Sequence, residues 1–430
     1  MNLPLTSDPD VRTEFCLNRT ELCLKLAGLL FSGSASTQRT MDSVARLYHY
    51  LGGLGKITVL VSYDAVTISE TNGDTRSNRI SRFPSTFTAN IKALMEVSSF
   101  LRGLDRNNPT PDEVWQFLEN AGSGKPVYRL HWQFLAAGTL GACYCAINSG
   151  DMLSLGISFV CTIVIFGLRR LLLDAGMNFY AATLLGLITG ISLAVLFSSS
   201  DGVATKSVAI VSPTLFLIPA VPMVLGGMDI LRGHNGIGLA RLATPFMMLL
   251  TLFLGLSIVM GMFSPALESG AIAPPGWPWF LVIVTVACAT GSAMLAILFN
   301  SPHNYLPLFF LCGATTWGVH AFIMHLGYSP EAGTFLGAVA STVIAILLSR
   351  RTHVDCVILA MLSVIPMVPG YLTMRGARGI ASMANLGGEI SLADLSETSH
   401  FVLKALLIFT AIILAPVFTL LVLDRRSQRI

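Results

Sequence analysis

The stretch Ile218–Pro222 reads IPAVP and lies late in an apolar run long enough to cross a membrane. Proline removes a backbone N–H donor and clashes with the preceding turn, which costs about 3 kcal/mol or more inside a helix. Two prolines three residues apart therefore predict that this membrane helix is broken. In hydrocarbon, a broken backbone is tolerated only where it faces protein or a water-filled cavity. The break is thus a candidate binding site.

The pattern returns as IPMVP at Ile365–Pro369, at an offset of 147 residues. The same offset pairs Trp132 with Trp279, and GLITG (Gly186–Gly190) with GTFLG (Gly333–Gly337). These matches predict two similar halves of about five membrane spans each. Because five is odd, the second half enters the membrane from the opposite side. The sequence therefore predicts an inverted repeat, which is common in secondary transporters.

The composition indicates that both halves lie in a bilayer. Of the 430 residues, 53% are hydrophobic and 12% are charged, whereas soluble proteins carry about 25% charged residues. Apolar runs of about twenty residues, the length that crosses a membrane, follow one another from Arg129 onward. The fold class predicted is an all-α polytopic membrane protein of about ten transmembrane helices with a small N-terminal α+β soluble domain. The expected spans are 130–149, 152–171, 177–198, 206–227, 240–263, 278–299, 304–326, 331–349, 354–374 and 400–424.

The soluble domain is indicated by frequent charges and by the lack of a membrane-length apolar run before Pro126. Apolar spacing predicts helices at about 12–31, 37–51, 88–104 and from Pro111, and the β-branched residues of 57–69 predict one or two strands. The segment AGSGKP, Ala121–Pro126, is typical of a linker. The predicted domains are 1–126, soluble; 127–263, the first five-helix repeat; and 264–430, the second.

The topology follows from the charges. The first fifteen residues contain Asp8, Asp10 and Glu14 and lack an apolar core, so we expect no cleavable signal peptide and a cytoplasmic N-terminus. Arginines near span ends then favour the inside, at Arg169, Arg170, Arg232, Arg241, Arg350, Arg351, Arg425, Arg426 and Arg429, against Lys206, Arg375 and Arg378 outside. The sequence predicts a multi-pass protein of the inner (cytoplasmic) membrane with both termini in the cytoplasm.

The candidate site residues lie at or after the two breaks. We predict that substrate contacts Pro219, Pro222, Asp229, Pro366, Pro369, Gly370 and Arg375. Asp229 follows Pro222 by seven residues, and partial burial disfavours the charged form of a carboxylate, which makes it the candidate for proton coupling; the alternative is a plain interfacial charge. Small residues four apart let helices approach closely, which predicts packing roles for Gly186, Gly190, Gly333 and Gly337.

Three stretches of the chain resemble the threonine/serine exporter family. The first is Leu26–Leu47, through Gly28, Gly33, Ala35, Thr37 and Arg39. The second is Leu217–Leu242, through Pro219, Pro222, Asp229, Gly233, His234 and Arg241. The third is Val364–Gly376, with its VPG and RG pairs. One departure is Ala220, where the family usually has glycine after the first proline. The chain is similar to the fused form of the family, whose other branch is a two-subunit pair associated with succinate export.

The resemblance implies an exporter of small polar amino acids such as threonine and serine, driven by protons. The alternative on the same scaffold is a dicarboxylate (succinate-like) exporter, which an arginine such as Arg375 would favour. A membrane-bound hydrolase with the soluble domain as the enzyme is a third hypothesis, although Gly33–Ser36 is not a GxSxG elbow. We expect no catalytic residues, no cofactor and no metal. The expected partners are a small-molecule substrate (an amino acid or a carboxylate), protons and the lipid bilayer. A net charge of +3 is too small to suggest nucleic acid, and assembly into a homo-oligomer stays open.

Overall fold

A computed structural model describes residues 9–62, 64–72, 75–82, 90–122, 126–200, 202–263, 276, 278–352, 354–385 and 391–423. These residues form two compact units. The first unit takes in the chain up to Pro126 together with residues 228–241, and the second takes in 127–227 and 242–423. Part of the predicted linker, residues 123–125, and the C-terminal arginines Arg425, Arg426 and Arg429 lie outside the described residues.

The first unit is an α+β structure, as the sequence predicts. A three-stranded antiparallel sheet has the order β1-β2-β3, with Ile68 of the central strand opposite Val59 and Arg79. The third strand was not predicted, because its sequence TRSNRISR has one apolar residue and shows no alternation. The elements are α1 (Pro9–Ser32), α2 (Thr37–Tyr50), β1 (Lys56–Val61), β2 (Ala65–Asn72), β3 (Thr75–Arg82), α3 (Ile91–Asn107) and α4 (Pro111–Gly122).

A buried polar network ties α1 to α2 and the sheet. Glu70 of β2 forms an ion pair with Arg19, accepts a hydrogen bond of 2.8 Å from Tyr48 Oη and one of 3.2 Å from Thr20 Oγ1. Burial, and then the bond to Glu70, raises the pKa of Tyr48 to about 12, so the phenol remains a donor at neutral pH. Both carboxylate oxygens are thus hydrogen-bonded, as expected for a polar side chain that is only 5% exposed.

The second unit consists of helices, and its two halves follow the same order of elements. The first half contains α5 (Leu130–Ile147), α6 (Met152–Asp174), α7 (Phe179–Ser198), α8 (Lys206–Val211), a 3-10 helix (Ser212–Leu217), α9 (Ala220–Leu231) and α10 (Asn235–Phe263). The second contains α11 (Trp279–Leu298), α12 (Leu306–His325), α13 (Pro330–Thr352), α14 (Cys356–Val364), a 3-10 helix (Ile365–Met367), α15 (Gly370–Asn385) and α16 (Leu392–Leu423), with a short 3-10 turn (His303–Tyr305) before α12. Residues 228–241, at the end of α9 and the start of α10, belong to the first unit.

Among the described residues, seven helices are long and apolar enough to cross a membrane, or eight if the bent pair Lys206–Leu217 and Ala220–Leu231 counts as one span. The seven are Met152–Asp174, Phe179–Ser198, Asn235–Phe263, Trp279–Leu298, His303–His325, Pro330–Thr352 and Leu392–Leu423. The membrane class is therefore confirmed, while the count of ten stays a prediction. Two of the ten expected spans are absent from these eight. The span 130–149 forms α5, which contains the polar residues His131 and Gln133. The span 354–374 contains an apolar helix of only Cys356–Met367, which is shorter than the others.

Equivalent contacts in the early helices of the two halves lie 151 residues apart. Ser149 and Asn300 each lie two residues past the end of equivalent helices, α5 and α11, and both have a φ of 59°. A Cβ built on Gly186 would meet the carbonyl oxygen of Ile165, and one on Gly337 would meet that of Thr316; 300 − 149, 337 − 186 and 316 − 165 all equal 151. The offset of 147 is therefore wrong by four residues, about one helical turn. A slip of one turn keeps small residues on the same helix face, so a sequence match cannot detect it.

Candidate functional site

Both predicted breaks are present, and one proline of each pair lies at the break itself. Pro219 separates the 3-10 helix 212–217 from α9, and Pro369 separates the 3-10 helix 365–367 from α15. The amide of Ala220 donates to Ile218 O at 2.9 Å, and the amide of Gly370 donates to Val368 O at 2.7 Å. The first break bends the chain by 55°. Structurally, therefore, Pro219 corresponds to Pro369, whereas the sequence match paired Pro369 with Pro222.

The other two prolines lie where a missing N–H costs little. Pro222 is the third residue of α9, and Pro366 is the second residue of its 3-10 helix. The first amides of a helix have no intrahelical acceptor, so proline is tolerated there. All three of Pro222, Pro366 and Pro369 are buried. Both α9 and α15 thus begin at a break, and their N-terminal ends carry the positive end of the helix dipole.

The two breaks meet inside the second unit. A Cβ built on Gly370 would lie 2.1 Å from Leu215 Cδ2 of the first 3-10 helix, so only a glycine allows this approach. A cavity of about 30 Å³ lies beside the contact, lined by Ile191, Val211, Thr214, Leu215, Ile218, Leu249, Leu252, Phe253, Leu256, Gly370 and Thr373. A space of this size holds on the order of one or two water molecules. It is too small for an amino acid, so the two breaks are closed against each other here.

Two polar side chains line this cavity, and the hydroxyl of each donates a hydrogen bond to a nearby backbone carbonyl. Thr214 Oγ1 donates to Val211 O at 2.8 Å, and Thr373 Oγ1 donates to Pro369 O at 2.8 Å. Threonine hydroxyls that bond to the preceding turn can rotate toward a ligand at the cost of one weak bond. Arg375 lies elsewhere: it is exposed, with its guanidinium 4.9 Å from the ring centre of Phe401 and 5.4 Å from that of Tyr371.

The four predicted packing glycines lie at helix contacts within each half. A Cβ on Gly190 of α7 would lie 2.1 Å from Ile165 of α6, and one on Gly333 of α13 would lie 2.9 Å from His320 of α12. Gly186 and Gly337 make the equivalent approaches to Ile165 and Thr316. These small residues therefore allow α7 to pack closely on α6, and α13 on α12.

Asp229 lies in the first unit, in a fully buried cluster at the start of α2. Its Oδ2 accepts 2.7 Å from Arg241 Nη1 and 2.9 Å from Thr37 Oγ1, and its Oδ1 accepts 3.2 Å from the backbone N of Thr37. Arg241 Nη2 also donates to Ala35 O at 2.9 Å. Asp229 and Arg241 are 0% and 1% exposed, and the Arg241 guanidinium lies 4.7 Å from the ring centre of Phe31.

A second row of contacts continues along α2. His234 Nε2 lies 3.3 Å from Gln38 Oε1, and Gln38 Nε2 donates to Asp42 Oδ1 at 2.8 Å. Burial raises the pKa of Asp42 above its ordinary value, although the Gln38 bond and the charge of Arg232 oppose this. Residues 228–241 are therefore bound to the first turn of α2 at both Thr37 and Gln38. Sequence reasoning missed this cluster, although its members Ala35, Thr37, Asp229, His234 and Arg241 all belong to the stretches that carry the family resemblance.

The comparisons with known proteins agree with these stretches. A family model described as "Putative threonine/serine exporter" matches residues 21–263, more than half of the chain. The chain belongs to the threonine/serine exporter family. A second model, "Threonine/Serine exporter, ThrE", matches residues 284–422, so this member carries both family regions in one chain.

A relative from Klebsiella aerogenes is described as "Probable succinate transporter subunit YjjP". It is 24% identical over 253 residues, which cover 56% of this chain and 93% of the relative. No solved structure matches the chain. The family establishes a membrane transporter with a small-molecule substrate, and the apolar helices establish that the chain crosses the membrane several times.

Proposed function

We propose that this protein is a secondary transporter that exports small polar amino acids, threonine and serine, across the inner membrane and uses the proton gradient. Its substrate site lies where the two helix breaks meet, at Pro219, Pro222, Pro366, Pro369 and Gly370. The observation that carries the proposal is the contact of Leu215 with Gly370, which brings the N-terminus of α15 against the 3-10 helix before the first break, inside the second unit of an exporter-family protein.

The chemistry of this meeting point suits a carboxylate. The first-turn amides of Val221, Tyr371 and Leu372 have no intrahelical acceptor, and helix N-termini stabilise anions. Half-helix N-termini serve substrate carboxylates in other transporters. The hydroxyls of Thr214 and Thr373 add groups that can hydrogen-bond a hydroxyl-bearing side chain such as that of threonine or serine.

An inverted repeat of two five-helix halves, 127–263 and 264–430, supports this function. Leu140 of α5 and Gly291 of α11 are in contact and are themselves 151 residues apart, so a twofold axis relating the halves would pass through this crossing. A Cβ built on Gly291 would also lie 3.7 Å from Pro366 Cγ of the second break. Two halves related in this way can exchange conformations, which gives outward-open and inward-open states of similar energy.

The direction of transport depends on how the protein is oriented in the membrane and on how transport is coupled to protons. We place both termini and the soluble domain 1–126 in the cytoplasm, in accordance with the arginine distribution. Asp229 is the proposed proton carrier, since it is the carboxylate that follows the first break. Neither the soluble domain nor the membrane unit has a catalytic role in this scheme, which distinguishes it from the membrane-bound hydrolase hypothesis, and the number of copies in the assembly stays open.

A dicarboxylate is the second candidate substrate. It is favoured by the description of the Klebsiella relative, whereas Arg375 is exposed and does not line the cavity between the breaks. A dicarboxylate needs a second cationic partner, whereas an amino acid needs an acceptor for its ammonium group. Helix N-termini can supply the cationic partner and helix C-termini can supply the acceptor, so the helix ends suit both substrates. Competition between an amino acid and a dicarboxylate therefore distinguishes the two candidate substrates.

The test is counterflow in liposomes that contain the purified full-length protein. Labelled threonine should accumulate against unlabelled threonine or serine without ATP, and an imposed pH gradient should drive net movement. Inhibition by succinate in preference to serine would select the dicarboxylate exporter. Absence of counterflow with every amino acid and dicarboxylate tested would reject transport of both classes.

A further inference from the structure

We propose that the first turn of α2 anchors α9, and that Thr37 and Arg241 are positioning residues that set the turnover of transport without setting its affinity for substrate. The proposal rests on the transport function proposed above. It concerns how the soluble domain participates, and it starts from the buried cluster around Asp229.

The first step is the way Asp229 binds the helix. Ser36 already caps α2 in the ordinary way, since its side chain accepts from the amide of Arg39. Asp229 adds a second cap from 192 positions away, through the amide and the hydroxyl of Thr37. A carboxylate at a helix N-terminus is stabilised by the helix dipole. The end of α9 is therefore bound to α2 in one orientation.

The second step is that Arg241 closes this arrangement from the other side. Its guanidinium bonds Asp229 and the carbonyl of Ala35, the residue that leads into the cap of α2. Because the Asp229 and Arg241 side chains are almost completely buried, water cannot replace a lost partner, and separating such a pair is costly. The end of α9 and the start of α10 are thus fixed to the same point on α2.

The third step connects this point to the break. α9 runs without interruption from Ala220, directly after Pro219, to Leu231. A helix of twelve residues is about 18 Å long and transmits a displacement along its axis. When the first break opens to admit substrate, α9 then pivots about Asp229, so a weaker contact between Asp229 and α2 makes the pivot less firm and slows this movement. The contact of Asp229 with α2 therefore affects the rate at which the protein exchanges conformations. It does not affect the groups that contact the substrate.

The experiment compares three variants of the full-length protein in liposomes. Thr37→Val removes the hydroxyl that bonds Asp229 and keeps the ion pair. Thr37→Ser retains that hydroxyl. Thr40→Val is the matched control, because Thr40 is also fully buried in α2 but donates to Ser36 O at 3.1 Å within its own helix. We expect Thr37→Val to lower kcat of threonine counterflow about tenfold, which corresponds to the loss of one hydrogen bond to a charged group, with KM unchanged and with recovery in Thr37→Ser.

A kcat equal to that of Thr40→Val, or a raised KM at constant kcat, would overturn the proposal. Hydrogen exchange gives a second measurement that needs no substrate: peptides from residues 228–241 should exchange faster in Thr37→Val than in Thr40→Val. Equal exchange in the two variants would also overturn it. If the unchanged protein transports none of the substrates, the proposed function fails, and hydrogen exchange still decides whether α2 is the anchor.

Discussion

The carboxylate of Asp229 lies 2.7 Å from the guanidinium of Arg241, and neither side chain reaches solvent. Removing one partner of a buried ion pair costs about 3–5 kcal/mol, because the other charge stays buried without compensation. A proton that arrives at Asp229 must therefore also weaken its hold on Arg241 and Thr37. In the proposed scheme, in which Asp229 carries the proton, we therefore expect proton uptake to coincide with release of the end of α9.

The first prediction concerns Asp229→Asn. We expect it to abolish efflux driven by a pH gradient, while substrate exchange, which needs no net proton movement, continues at a lower rate because the contact with Arg241 and Thr37 is weakened. Asp229→Asn/Arg241→Met removes both charges and controls for the stability lost with a single one. Full pH-driven transport by either variant would show that Asp229 does not carry the proton, and His320, buried in α12 beside Thr334, would be the next residue to test.

The second prediction concerns the contact between the breaks. Gly370→Ala should place a methyl group on Leu215 and force the breaks apart, with a loss of stability of about 1–3 kcal/mol, as for other overpacked sites. In a Leu215→Ala background, which is itself destabilised by the lost leucine, Gly370→Ala should cost little more, because the atoms that collide are absent. Thermal unfolding of the four proteins of this cycle measures the coupling; additive effects would contradict the contact.

The third prediction tests the 151-residue register. A Cβ on Gly141 would lie 1.9 Å from Thr162 Oγ1, and one on Gly313 would lie 2.4 Å from Ser292 Oγ, the same contact with the small residue on the opposite helix. Gly141→Ala should destabilise the protein, and Gly141→Ala/Thr162→Ala should recover. Gly156→Ala is the control, since nothing lies within 4 Å of its Cβ and alanine is the better helix former. Melting temperatures that fall equally in both glycine variants would contradict this register.

The fourth prediction concerns pH and Asp42. Because burial raises the pKa of this carboxyl group, the folded state binds its proton more tightly than the unfolded state does. Its ionisation therefore destabilises the fold above the folded pKa, and the cost disappears below the unfolded pKa of about 3.9. We expect Asp42→Asn to melt at a higher temperature than the unchanged protein at pH 7, with the difference shrinking toward pH 4. A difference that grows as the pH falls would have the wrong sign.

The fifth prediction concerns orientation. In intact cells, an impermeant maleimide should label Ser269→Cys and Gly388→Cys, which the charge distribution predicts to be outside. It should not label Asn235→Cys until the membrane is opened. Labelling of position 235 in intact cells would reverse the proposed topology.

The breaks could be predicted because proline acts locally. Pro219 and Pro369 each lie three residues from a second proline, which disfavours a continuous helix, whereas the single prolines Pro245 and Pro416 lie inside α10 and α16. The apolar runs are also local, because their length alone predicts a membrane span. The start of α4 is also determined by neighbouring residues. The amide of Thr110 donates to Glu113 Oε2 at 2.7 Å, and the amide of Glu113 donates to Thr110 Oγ1 at 3.3 Å. This is the capping arrangement expected of their spacing.

The position of the Asp229 side chain could not be predicted, because it depends on a contact with Thr37, which lies 192 positions earlier in the chain. Position after a broken membrane helix suggested a place near the break, but the side chain points to the start of α2. The predicted offset of 147 residues between the halves is wrong for a different reason. Gly186 can be matched with Gly333 or with Gly337, one turn apart on the same face, and only the contact with Ile165 or Thr316 distinguishes them.

The assignment of residues 228–241 to the first unit determines how such a protein can be divided between genes. A cut at Pro126 would separate α2 from Asp229 and Arg241 and would leave a charged pair without its polar partners. A cut between α10 and α11, where the matches to the two family models leave a gap at residues 264–283, would separate none of these groups. The crossing of α5 and α11 at Leu140 and Gly291 would then become an interface between two polypeptides. The soluble domain would have to be encoded with the first half of the membrane unit.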